Sequence, residues 1–82
     1  MNQAEQILKE IENWDSINVF VFSRIIALVV KSDELMQKKL AQEFEIHETT
    51  VLRWAAGTSV PAEEVRKKVI AKIKKDLSIS VK

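Results

Sequence analysis

Apolar side chains recur at helical spacing along most of this chain. Among residues 3–13, Ala4, Ile7, Leu8 and Ile11 fall on one side of an otherwise polar segment, with Trp14 just beyond, which predicts an amphipathic helix. Asp15 and Ser16 read as a stop followed by a helix cap. The next run, from Ile17 to Val30, is apolar at eleven of fourteen positions. Its opening, INVFVF, has the β-branched and aromatic character of a strand. The run is longer than an ordinary strand and has no turn signal or hairpin partner nearby, so it reads as a helix continuing through Lys31. Wound as a helix, its apolar residues cover every side, and Asn18, Ser23 and Arg24 fall on separate faces. Such a helix is either covered by its neighbours or offers a face to another subunit.

Beyond a polar break, Ser32 or Asp33 can cap a third helix reaching about Phe44, with Leu40, Ala41 and Phe44 inward. Glu45, Ile46 and His47 make a turn, and His47 or Glu48 opens a fourth helix that ends near Ala56. Gly57 stands where a helix C-terminus commonly needs a left-handed residue. Thr58, Ser59 and Val60 read as a loop. Pro61 suits the first position of a last helix, whose positive end Glu63 and Glu64 would meet. Val65, Val69, Ile73 and Leu77 recur every four residues with Ile70 beside them, while Lys67, Lys68, Lys72, Lys74 and Lys75 lie mostly outside that stripe. Residues 78–82 are expected to be loose. The pattern predicts an all-α fold, a compact bundle of about five helices.

Composition narrows the function classes. The chain has 82 residues, 46% hydrophobic and 30% charged, the balance of one globular domain with a small core. Without cysteine it has neither a disulfide framework nor a thiolate metal site, and its single histidine, His47, rules out a His cluster. There is no Gly-rich phosphate loop, so no enzyme chemistry, cofactor or small-molecule ligand is expected. The N-terminus lacks the charged-then-apolar order of a leader. The longest apolar run is interrupted by Asn18, Ser23 and Arg24 and falls short of the ~20 residues of a membrane span. A cytoplasmic protein is expected, without membrane contact.

Charge is unevenly spread. Residues 1–31 hold three basic and four acidic side chains, a balance of −1; residues 32–61 hold three and five, or −2; residues 62–82 hold seven and three, or +4. The middle segment is mildly acidic, which opposes strong nonspecific binding to phosphates.

The twenty residues 37–56 carry the sharpest signal. Counted from Gln37, Leu40 and Ala41 are fourth and fifth, Phe44 eighth, Ile46 tenth, Val51 fifteenth and Trp54 eighteenth. Two short helices that cross closely need apolar or small groups at these places, and at the fifth nothing larger than alanine fits. In this register, and in the RWAAGTSVP that follows, the segment resembles the helix-turn-helix of the lambda-repressor-like (Xre-type) family over about residues 17–77. Residues 1–16 are an extra N-terminal helix, and residues 61–77 the C-terminal one. Two positions depart from the family pattern. The ninth is Glu45 where glycine is usual, a positive-φ position costing ~1 kcal/mol. Met36 stands where a Ser or Thr cap is usual.

The resemblance implies double-stranded DNA as partner, bound by inserting helix 48–56 into the major groove, in a prokaryotic or phage transcriptional regulator that is nucleoid-associated when bound. Side chains opposite Val51 and Trp54 would face DNA: Thr49, Leu52, Arg53 and Ala56, with Glu48 and Thr50 at the leading end. Arg53 can bond guanine O6 and N7, Thr49 a base or a thymine methyl, Leu52 a thymine methyl, and Glu48 a cytosine amino group. Gln37 resembles the glutamine that family members aim at the DNA backbone, and Lys38, Thr58 and Ser59 are candidate phosphate contacts. One such unit buries little surface, so a homodimer is expected, with the Ile17 to Val30 helix or its neighbours as its contact. The alternative is a protein-interaction module on the same fold that has lost DNA binding, which the acidic middle segment, Glu48 and Leu52 favour.

Overall fold

The apolar run is the axis of the fold. The computed structural model describes residues 3–80, with side chains over residues 4–78. These residues form five helices and no strand: α1 Gln3–Glu12, α2 Val19–Ser32, α3 Glu34–Glu43, α4 Glu48–Ala56 and α5 Glu63–Ser80. The chain is all-α, and INVFVF is helical from Val19, with Asn18 as cap and Phe22 alone of the six fully buried. Helices α1, α3 and α4 all pack on α2, which buries Phe22, Ile25, Ile26 and Val29. Ile7 and Ile11 come from α1, Met36, Leu40 and Ala41 from α3, Val51 and Trp54 from α4, and Val69, Ile70 and Ile73 from α5. Full burial of each large side chain contributes roughly 1.5–3 kcal/mol. The Phe22 ring lies between two indoles, 6.4 Å from Trp14 and 6.0 Å from Trp54. Helix α5 packs on α1. No helix among the described residues is long and apolar enough to cross a membrane.

Several boundaries differ from those expected. Helix α2 starts at Val19, not Ile17, and its cap is Asn18, whose side chain accepts from the Val21 amide, not Ser16. Asp15 instead closes a turn by accepting from the Ile17 amide, and the Ser16 hydroxyl donates to Glu63 at 2.6 Å. The last helix begins at Glu63 rather than Pro61, because its first intrahelical bond runs from the Arg66 amide to the Ala62 carbonyl. It also continues to Ser80, so residues 78–80 are helical rather than loose; Val81 and Lys82 lie outside the described residues. The Lys72–Asp76 pair at 3.4 Å and half-buried Leu77 carry the helix past the expected stop.

Asp33 caps α3, its carboxylate accepting from the Leu35 amide at 2.9 Å. Helix α3 closes at Phe44, which is half-buried. The chain then turns through Glu45 at φ 53, the single positive-φ residue besides Gly57 among those described. That conformation lets the Ile46 amide reach back to the Ala41 carbonyl at 2.9 Å. Ala41 is buried, and α3 packs on α4.

Candidate nucleic-acid interface

Helix α4 has two opposed rows. Val51 and Trp54 are buried at 0% and 4% exposure, and anchor it on α2 and α3. At 100° per residue the opposite side carries Thr49 and Ala56 at its centre, flanked by Leu52, Arg53 and Glu48, all exposed. Thr50 sits between the rows and is half-buried, so it belongs less to the outer face than Thr49. His47 occupies the N-cap position without a side-chain cap bond, and Gly57 ends the helix in the left-handed region at φ 79. The surface is therefore one short helix whose outer side offers a hydroxyl, a guanidinium, a carboxylate and two apolar groups.

The remaining expected contacts are placed around that helix. Gln37 is half-buried, and its side-chain amide donates to the Glu48 carbonyl at 3.4 Å, so it braces the start of α4. Lys38 is exposed beside a shallow depression shared with Ala41, Ile46 and Glu48. The Thr58 amide and hydroxyl both reach the Arg53 carbonyl, at 3.1 and 3.3 Å, and close the end of α4. Ser59 is exposed and lines a groove of about 420 Å3 between Val19, Phe20 and Ser23 of α2 and the chain from Ala56 to Val60. Gln37 and Thr58 thus position α4, while Lys38, Glu48, Thr49, Leu52, Arg53 and Ser59 are open to a partner.

No family model, curated protein or solved structure matches this chain. Asp33 and Glu34 place two carboxylates at the start of α3, one turn before Gln37. The C-terminal lysines lie on α5, which packs on α1, and Lys72 among them is engaged by Asp76 and by Glu43 at 3.9 Å. Among the described residues no group of three or more His, Cys, Asp or Glu is placed to hold a metal ion.

Sequence reasoning missed Arg66. It is buried, and its guanidinium donates through Nε to the Ser16 carbonyl at 3.0 Å and through a terminal nitrogen to the Pro61 carbonyl at 2.8 Å. It ties the turn before α2 and the loop after α4 to α5. A signal was present: Arg66 stands three, four and seven residues before Val69, Ile70 and Ile73, inside the apolar stripe of its helix.

Proposed function

We propose that this chain binds double-stranded DNA through a helix-turn-helix formed by α3 and α4, with α4 seated in the major groove, and that it acts in transcriptional regulation. The observation that supports this best is the division of α4 into a buried Val51–Trp54 anchor and an outer row of Thr49, Leu52 and Arg53. A short helix braced at its start by Gln37 and at its end by Thr58 presents that row rigidly, as base readout requires. Arg53 reads guanine, Thr49 and Leu52 meet base edges and thymine methyl groups, and Lys38 and Ser59 meet phosphates. One unit buries too little surface for tight specific binding, so two copies occupy a two-fold-related site.

The test is a gel shift on selected duplexes with Arg53→Ala. Losing a bidentate guanine contact costs roughly 1–3 kcal/mol, or about 5- to 150-fold in affinity, and relaxes preference at one base pair. Unchanged affinity together with unchanged sequence preference refutes the groove assignment.

A second reading, protein binding through the same face, draws on Leu35 and Leu52, exposed at 60% and 43%, and on the carboxylates of Asp33 and Glu34. Salt separates the two. Binding to duplex weakens steeply as salt rises, because each neutralised phosphate releases counterions, whereas an apolar protein contact responds little.

A further inference from the structure

We propose that the outer face of α5 is a docking surface for the phosphate backbone of duplex DNA, held by Lys67, Lys68, Lys74 and Lys75 without regard to sequence. The choice of duplex DNA rests on the functional reading. The surface itself lies on a different helix from the α4 row and is tested apart from it.

The sequence gathers positive charge on this helix. Residues 62–82 carry a balance of +4 in a chain whose total is +1. Packing then sorts α5 by side. Val69, Ile70 and Ile73 are buried, on the side away from Ala71. Lys67, Lys68, Lys74 and Lys75 flank Ala71 within an arc of about 120°, and all four are exposed. Glu64 opens this face at its N-terminal end, and beyond it the arc holds no acid as far as Ser78. Ion pairs are made on the other side, where half-buried Lys72 meets Asp76 at 3.4 Å and Glu43 at 3.9 Å. Among the described residues none of the four outer lysines is within ion-pair distance of a carboxylate. The charge of the face is therefore left for a partner.

Spacing and composition narrow that partner. Lys67 to Lys74, and Lys68 to Lys75, are each two helical turns, or about 10.5 Å along the axis. That is about one Debye length at 0.1 M salt, so the four ammonium groups act together on a polyanion. A duplex offers one negative charge per ~1.7 Å of its axis, and a row of point charges meets phosphates in any register. The face has no aromatic ring, so it has no platform on which the bases of a single strand could stack. The large apolar residues of α5 lie on its inner side, which leaves nothing to insert into a lipid surface. A protein partner would find no aromatic or arginine anchor. Lysine is a hydrated point charge, which suits phosphate and reads no base.

The experiment is fluorescence anisotropy of the full chain on a duplex of arbitrary sequence, with salt raised from about 50 to about 200 mM. Each phosphate contact adds about −0.9 to the slope of log affinity against log salt. Lys67→Gln, Lys68→Gln, Lys74→Gln and Lys75→Gln together should flatten the slope by about 3.6, so that raising the salt costs this variant about 150-fold less than the parent. Lys68→Gln with Lys75→Gln should flatten it by about half as much. Lys9→Gln with Lys31→Gln, the same loss of charge from exposed positions on α1 and α2, should leave the slope of the parent. Glutamine is close to lysine in helix propensity, so circular dichroism should be that of the parent throughout. A four-fold variant with the parent's slope overturns the proposal, as does an equal flattening in the α1–α2 pair. So does tighter binding of the parent to a single strand, to an RNA duplex or to phosphatidylserine vesicles than to duplex DNA at the same salt. The lysine variants should weaken all duplex sequences alike, whereas Arg53→Ala alters preference at one base pair, so either proposal can fail while the other stands.

Discussion

Arg66→Met is the substitution that most directly tests how the loop after α4 is held. Arg66 is 9% exposed and donates two hydrogen bonds to carbonyls, at 3.0 Å to Ser16 and 2.8 Å to Pro61. Hydrogen bonds from a charged group contribute about 1.5–3 kcal/mol each, and their removal leaves two poorly solvated carbonyls. Methionine regains some apolar burial along the stem, so the expected net loss is about 2–4 kcal/mol. For a domain of this size each kcal/mol moves the melting temperature by about 4–8 °C, which gives a fall of about 8–32 °C. Arg66→Lys keeps the charge but lacks the planar fork whose two nitrogens reach the two carbonyls, so it should lose about half as much. Lys67→Met, exposed one residue away, should shift stability by no more than ~0.5 kcal/mol. Thermal melts followed by far-UV circular dichroism measure all three. If Arg66→Met melts within about 2 °C of the parent, the clamp is not holding the loop and the reasoning is refuted.

Two further substitutions probe the same neighbourhood. Gly57→Ala places a side chain at φ 79, while its Cβ would meet nothing nearer than the Ser23 hydroxyl at 3.8 Å, so a loss of about 1 kcal/mol in a denaturant melt is expected from backbone strain alone; a loss above ~3 kcal/mol would point to a steric clash instead. Asp33→Asn keeps an equally good α3 cap, so stability should change by under ~1 kcal/mol. On the DNA reading the lost carboxylate no longer repels phosphate, and affinity in a low-salt gel shift should rise by about two- to five-fold; a fall in affinity would contradict the placement of α3 beside the duplex.

The parts of this molecule legible in its sequence were those governed by local rules. Val51 and Trp54, three residues apart, could only anchor a helix on one side, and both are buried. Gly57 and Glu45 marked the two left-handed positions, at φ 79 and 53, because helix ends and tight turns impose that conformation whatever lies around them. Contacts distant in sequence were not legible. Asp15, Ser16 and Asn18 are all competent caps; Asn18 takes the role in a structure where the Ser16 hydroxyl is bonded to Glu63, forty-seven residues on. Arg66 looked like one more basic residue on a lysine-rich helix until its carbonyl partners were placed. The apolar run was equally mute about which of its sides would lack cover. Phe20 and Phe22 are alike in sequence, and they stand at 85% and 0% exposure because helices pack on one side of α2 and leave the other open at its start.

These observations converge on the chain between Ala56 and Pro61. Gly57 and Thr58 close α4 through the carbonyls of Trp54 and Arg53, the loop then walls the groove beside Phe20, and Pro61 is bonded to Arg66 on α5. One short segment therefore bears on the end of α4, on the groove beside Phe20, and on attachment to the C-terminal helix. Groups that bear on one backbone segment do not act independently, so Arg66→Met and Gly57→Ala should combine non-additively in a denaturant melt. Under the proposed function this segment serves the requirement of a duplex reader that its reading helix be held in one direction. The loop that closes α4 through Gly57 and Thr58 sets the direction of the Thr49–Arg53 row. On that reading, a face with so little positive charge would gain its selectivity from the fixed direction of its side chains more than from attraction to phosphate.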